Sequence, residues 1–120
     1  YGDGSQTRDY VFVADVARAN LLASTAKLPP VTRSDSRAFN IGTGIETSVV
    51  RLAEILNAAA GTSVPVERAP ARLGELQRSA VDNTKARSIL GWAPQKSLEE
   101  GLGETFRFFA ERSLLVRQGS

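Results

Sequence analysis

The stretch Tyr1-Gly-Asp-Gly-Ser-Gln-Thr-Arg-Asp-Tyr-Val-Phe-Val-Ala-Asp-Val16 decides how this chain is expected to fold. A glycine-rich turn leads into a short apolar run, Tyr10–Val13, and a helical pattern follows directly. Because side chains alternate across a strand, a strand that is apolar at consecutive positions must be covered on both faces. The run therefore predicts a central strand in a layered α/β protein.

Arg8 stands at the entrance of this predicted strand. A guanidinium group there is either a member of a structural ion pair or a ligand for an anion such as phosphate or carboxylate. The residues alone leave both interpretations open.

Helical spacing of apolar residues, together with capping residues, predicts four helices further along the chain. Gly61 and Gly91 are expected to end the second and third of them in a left-handed conformation, and Trp92 is expected in the core. The expected helix starts are Asp15, Thr47 or Ser48, Asp82, and a capping box of Ser97 and Glu100.

Two further short strands are predicted, at Arg37–Gly42 and Ser63–Glu67. Strands that alternate with helices favour an α/β fold with parallel pairing. The glycine pairs at residues 2–4 and 42–44 are interpreted as turns. A dinucleotide-binding loop needs a third glycine three residues on, and threonine occupies both of those positions.

Composition excludes several classes of function. The 120 residues include no cysteine and no histidine, which excludes disulfides, thiol chemistry, histidine catalysis and the usual zinc sites. The net charge of +2 is scattered, so no nucleic-acid partner is expected, and there is no apolar run of the ~20 residues that a membrane span needs. A cytoplasmic protein is expected. Methionine is also absent, which favours a processed chain or the tail of a longer one.

Five motifs in register resemble the C-terminal part of nucleotide-sugar epimerases of the extended short-chain dehydrogenase/reductase family, with the UDP-glucose 4-epimerase type as the nearest. The motifs are Gly2–Ala17, Phe39–Gly44, Arg72–Glu75, Leu90–Pro94 and Ser97–Leu102. The resemblance implies an α/β chain that is an incomplete fragment of a Rossmann-type epimerase. Residues 1–120 would form its mixed C-terminal substrate-binding region, with short strands and about four helices, and the N-terminal NAD-binding domain would be absent.

The resemblance also implies site residues. Arg8 and Arg72 would contact the diphosphate of a UDP-sugar, Glu75 would accept hydrogen bonds from the ribose hydroxyls, and Tyr10 would line the base pocket. The chemistry agrees, because two guanidinium groups can clamp a diphosphate with charge-assisted bonds. Without the resemblance, Arg72–Glu75 reads as a solvated surface loop.

The family's catalytic Tyr-x-x-x-Lys motif and NAD fingerprint are not found, so no catalytic, cofactor-binding or metal residue is assigned. The parent enzyme would bind NAD, whereas this chain alone would be inactive and would bind a UDP-sugar weakly or not at all. Two alternatives stay open: a parent that is a nucleotide-sugar 4,6-dehydratase, or a free-standing, non-catalytic protein that binds a nucleotide or forms a homodimer.

Overall fold

A computed structural model of the chain describes residues 1–118, with the side chains of residues 1–115. The expected class is confirmed, since these residues form an α/β arrangement with short strands and four helical elements. The elements in order are β1 (Thr7–Arg8), α1 (Val13–Thr25), β2 (Thr47–Ser48), α2 (Val49–Ala60), a five-residue π-helical segment (Ala86–Leu90) and α3 (Leu98–Gln118).

The predicted strands are wrong. Within residues 1–118, neither Tyr10–Val13, Arg37–Gly42 nor Ser63–Glu67 forms a strand. The two strands that do form, β1 and β2, pair antiparallel rather than parallel, with Thr7 opposite Ser48 and Arg8 opposite Thr47. The physical reason is that a strand needs a neighbour to complete its hydrogen bonds, and the described residues place none beside the three predicted segments.

The apolar run at Tyr10–Val13 instead leads directly into α1. Phe12 has an extended backbone (φ −72°, ψ 141°) and is the residue that precedes the helix. Its carbonyl oxygen accepts the N–H groups of Asp15 at 3.0 Å and Val16 at 3.2 Å. Val13, expected to be buried, is 73% exposed.

Most of the predicted helix ends are confirmed. The Ser48 hydroxyl accepts the N–H of Arg51 at 3.1 Å, and Ser97 and Glu100 form the reciprocal capping box at 3.1 and 3.2 Å. Gly61 and Gly91 both adopt the left-handed conformation, with φ of 65° and 63°. The Asp82 carboxylate accepts the Thr84 N–H at 2.9 Å, one turn before the π-helical segment.

Asp15 is not the cap that was predicted. α1 has no side-chain cap, and Asp15 lies buried in its first turn. Its carboxylate accepts the N–H groups of Gln95 and Lys96 at 3.1 Å and pairs with Arg18 at 3.0 Å. Burial raises the pKa of Asp15, but these hydrogen bonds outweigh burial and lower it below the ordinary value. Asp15 therefore ties α1 to the loop that precedes α3.

Trp92 lies at the centre of the core, as predicted. It is fully buried with Ala19, Ala86 and Leu90, and its indole N–H donates to the Asp15 carbonyl oxygen at 2.8 Å. Phe39 packs against this cluster although its segment forms no strand. Among the described residues, no helix has the length and apolar character needed to cross a membrane.

Candidate functional site

Strand β1 is held along both of its edges. β2 pairs with one edge. On the other, the Thr7 N–H donates to the Gln77 carbonyl at 2.9 Å, and the Ser79 N–H donates to the Thr7 carbonyl at 3.2 Å. These bonds bring the loop before Gln77 alongside Arg8, although the two are far apart in sequence.

Arg8 reaches into this loop with its guanidinium group. Nη1 donates to the carbonyl oxygens of Thr7 and Leu76, both at 2.7 Å, and Nη2 lies 3.3 Å from Glu75 Oε1. The side chains of Arg8 and Glu75 are about a third exposed, at 31% and 32%. Of the two roles that the sequence left open for Arg8, the structure shows the ion pair.

Arg72 belongs to the same loop and stacks on an aromatic ring. Its guanidinium carbon lies 3.7 Å from the centre of the Tyr1 ring, a cation–π contact. The loop is fixed near this point because the Gly2 N–H donates to the Ala69 carbonyl at 2.8 Å.

Arg72 and Glu75 line one cavity of about 240 Å³, together with Tyr1, Gln6 and Gln77. Arg8 joins this group through its contact with Glu75. The structure therefore gathers three of the four predicted site residues. Ligand pockets typically measure about 300–1,000 Å³, so this cavity can hold only part of a nucleotide sugar.

Tyr10, the fourth predicted site residue, does not line this cavity. It lines a separate one of about 250 Å³ with Thr43, Thr47 and Lys96. Its predicted place in the base pocket stays a prediction.

Sequence reasoning missed six lining residues of the Arg72 cavity, which are Tyr1, Gly2, Asp3, Gln6, Ala71 and Gln77. Tyr1 stacks on Arg72. Gln6 is buried and donates from Nε2 to the Tyr1 carbonyl at 3.1 Å, and Gln77 donates from Nε2 to the Ser5 hydroxyl at 3.0 Å. The only signal in the sequence is the short polar run before Arg8, which does not reveal that the loop around Arg72 folds back over it.

Asp9 organises the turn at residues 42–44. Its carboxylate accepts the Thr43 N–H at 2.8 Å, the Thr43 hydroxyl at 2.6 Å and the Gly44 N–H at 2.8 Å. A Cβ atom on Gly42 would lie 2.7 Å from Asp9 Oδ2 and 2.4 Å from a Val81 methyl carbon, so only glycine fits there. Because Asp9 occupies the N–H groups of this turn, they are not free to cradle a phosphate.

The chain is similar to several known proteins. The family model described as GDP-mannose 4,6 dehydratase matches residues 1–105. The chain belongs to that family. The resemblance that the five motifs indicated, to part of the nucleotide-sugar epimerases of the extended short-chain dehydrogenase/reductase type, is confirmed.

The proteins that match this chain include epimerases. UDP-glucose 4-epimerase of Mycolicibacterium smegmatis is 45% identical over 113 residues, which are 94% of this chain and 34% of the relative. The crystal structure of the Thermotoga maritima UDP-glucose 4-epimerase with UDP-glucose superposes with a TM-score of 0.82 at 43% identity, covering 93% of this chain and 34% of that one.

MoeE5, solved in complex with UDP-glucuronic acid and NAD, superposes with a TM-score of 0.81 at 28% identity, covering 93% of this chain and 36% of that one. The chain thus spans about a third of the length of the proteins it matches. The likeness is to one part of a Rossmann-type epimerase.

Proposed function

We propose that this chain is the substrate-binding portion of an NAD-dependent, UDP-glucose 4-epimerase-like enzyme. Arg8 and Arg72 would bind the diphosphate of a UDP-sugar, and Glu75 would accept hydrogen bonds from the ribose hydroxyls. The observation that carries the proposal is that Arg72 and Glu75 line one cavity and that Arg8, from a distant part of the sequence, contacts Glu75 beside it. Tyr10 is proposed for the base pocket on the ground of the motif alone.

The described residues offer no fit for NAD. The turn at Gly42–Gly44 gives its N–H groups to Asp9, and neither glycine turn carries the third glycine of a dinucleotide-binding loop. We therefore propose that NAD, which the MoeE5 structure holds, is bound by another part of the parent enzyme, and that this chain alone does not epimerise sugars. An assay of the chain with UDP-glucose and NAD is expected to match the protein-free blank; turnover above it would contradict this part of the proposal.

Binding by the chain itself is the direct test. We expect UDP to bind in the millimolar range, about −4 kcal/mol, because the cavity is too small to enclose the whole ligand. An ¹⁵N NMR titration should move the resonances of residues 6–8 and 72–77. Arg72→Ala should raise the dissociation constant from these shifts roughly tenfold or more, while Arg112→Ala, at an exposed charge on α3, should leave it unchanged. A micromolar dissociation constant would contradict the expectation that the pocket is incomplete. If no resonance shifts at a UDP concentration about ten times the expected dissociation constant, the proposal is overturned.

A nucleotide-sugar 4,6-dehydratase is the second candidate for the parent. The observation that favours it is the description of the matching family model. Both parents would use the same diphosphate and ribose contacts, so binding to this chain cannot separate them. Identifying the product that the parent enzyme forms, an epimeric sugar or a dehydrated keto-sugar, distinguishes the two.

A further inference from the structure

The carboxylate of Glu75 occupies a position on Arg8 that an anionic ligand would need. A guanidinium group has five N–H donors. Two from Nη1 of Arg8 are taken by the backbone carbonyls of Thr7 and Leu76, and Nη2 faces Glu75. The negatively charged partner of Arg8 is therefore Glu75, the side chain that the proposed function assigns to the ribose hydroxyls of the ligand.

The contacts of Arg8 differ in how readily they can exchange. The two carbonyl bonds are short, at 2.7 Å, and come from backbone that is fixed beside β1. The contact with Glu75 is long, at 3.3 Å, and both side chains are partly exposed. Exposed ion pairs of this kind contribute little to stability. The carbonyl bonds can thus hold the guanidinium in place while Glu75 leaves it.

We infer that Glu75 is an internal competitor for Arg8, and that it makes the site select a nucleoside diphosphate over bare pyrophosphate. This inference rests on the proposed function. To form a bidentate contact with Nε and Nη2 of Arg8, either anion must displace the Glu75 carboxylate from Nη2. A nucleotide then offers its ribose hydroxyls as new donors to that carboxylate, whereas pyrophosphate offers no diol and leaves Glu75 as an unpaired like charge beside it.

Selection of this kind acts by penalising the wrong ligand rather than by adding a contact to the right one. Replacing Glu75 with the isosteric glutamine removes the competing charge for both ligands. For UDP, the gain is offset by the loss of a charge-assisted bond to the ribose. For pyrophosphate there is no such loss, so only the gain remains.

The test is a titration of the full 120-residue chain with UDP and with inorganic pyrophosphate, before and after Glu75→Gln, followed by ¹⁵N NMR. We expect pyrophosphate to bind about tenfold more tightly to the variant, the equivalent of about 1.4 kcal/mol, and UDP to change by less than about threefold. Glu111→Gln makes the same charge change on the exposed face of α3 and should leave both constants as they are. Glu75→Asp keeps the carboxylate and should retain most of the selectivity.

The outcomes separate this inference from the proposed function. If the wild-type chain binds UDP but Glu75→Gln leaves the ratio of the two constants unchanged, the inference is overturned and the proposed function stands. If Glu75→Asp loses selectivity as fully as Glu75→Gln does, the carboxylate is not the selecting group and the inference also fails. If the wild-type chain binds neither ligand, the proposed function fails and the inference with it.

Discussion

Replacing Asp9 with asparagine should loosen the framework that holds Arg8 in place. Asp9 directly follows Arg8, and its carboxylate joins three segments of the chain. Oδ1 accepts the N–H and hydroxyl of Thr43 at 2.8 and 2.6 Å, and Oδ2 accepts the N–H groups of Gly44 and Val81 at 2.8 and 3.4 Å. In asparagine one of these oxygens becomes an NH₂ group, a donor that faces two donors.

The expected decrease in the unfolding free energy of Asp9→Asn follows from these hydrogen bonds. Hydrogen bonds to a charged group contribute about 1.5–3 kcal/mol each. The variant can keep the pair of bonds from Thr43, the bond from Val81 is long, and the site is partly exposed. The net loss is therefore close to that of the single Gly44 bond, about 2 kcal/mol, which is a large share of the ~5–15 kcal/mol that stabilises a typical domain.

The stability that Asp9→Asn loses should depend on pH. Burial raises the pKa of Asp9, but the hydrogen bonds from Thr43, Gly44 and Val81 outweigh burial and bring it below its ordinary value. A carboxyl group with a lowered pKa in the folded state contributes stability above its unfolded pKa of about 3.9, and this contribution is lost as the pH falls through the folded-state pKa. The difference between wild type and Asp9→Asn should be constant from neutral pH to about pH 5 and should shrink below about pH 4.

Urea unfolding followed by the fluorescence of Trp92, the single and fully buried tryptophan, measures this directly. Thr43→Val is the matched control, because it removes one bond to Oδ1 and leaves the charge of Asp9 in place. It should cost about 1–2 kcal/mol, because the Ile45 N–H also loses its acceptor. It should keep only part of the wild-type pH dependence, since the Thr43 hydroxyl is one of the groups that lower the pKa of Asp9. The reasoning is refuted if Asp9→Asn lies within about 0.5 kcal/mol of wild type at neutral pH, or if its effect is the same at about pH 3.

Two further substitutions address the site and the core. Arg72→Ala should weaken UDP binding roughly tenfold or more, by the loss of one charge-assisted contact. The urea midpoint should change little, because among the described residues this guanidinium group contacts an exposed ring, that of Tyr1. A dissociation constant that is unchanged, as is expected for Arg112→Ala, would remove Arg72 from the site. Asp15→Ala should cost about 3 kcal/mol of unfolding free energy, because the N–H groups of Gln95 and Lys96 lose their acceptor, and a loss below about 1 kcal/mol would show that water replaces the carboxylate.

The features that the sequence predicted well are those with local causes. The caps at Ser48 and Ser97 depend on residues within one helical turn, and both form as expected. The burial of Trp92 follows from its size and apolar surface. The run at Tyr10–Val13 was wrongly predicted to be a strand, because a strand requires a partner, and the partner is a property of the whole chain. For the same reason, the antiparallel pairing of β1 with β2 could not be predicted from spacing.

The predictions for the candidate site also succeeded where the cause is local and failed where it depends on the whole chain. The motifs predicted Arg8, Arg72 and Glu75 as site residues, and the fold brings these three close together. The stack of Tyr1 on Arg72 was missed because it depends on the course of the loop at residues 69–77 over the N-terminal turn. That loop carries no helix or strand signal, and no spacing in the sequence specifies where it lies.

The choice that the sequence left open for Arg8, ion pair or anion ligand, is resolved if the two are successive states of one group. Arg8 and Arg72 bring two positive charges to the surroundings of one cavity, and Glu75, in the same motif as Arg72, supplies a negative charge beside Arg8. In the proposed complex, the diphosphate would replace this carboxylate on Arg8, which a long and partly exposed ion pair permits. The carboxylate would then be free to bind hydroxyl groups. A site built only from the two arginines would bind any polyanion, whereas one that includes Glu75 requires an anion that carries donors beside its charge.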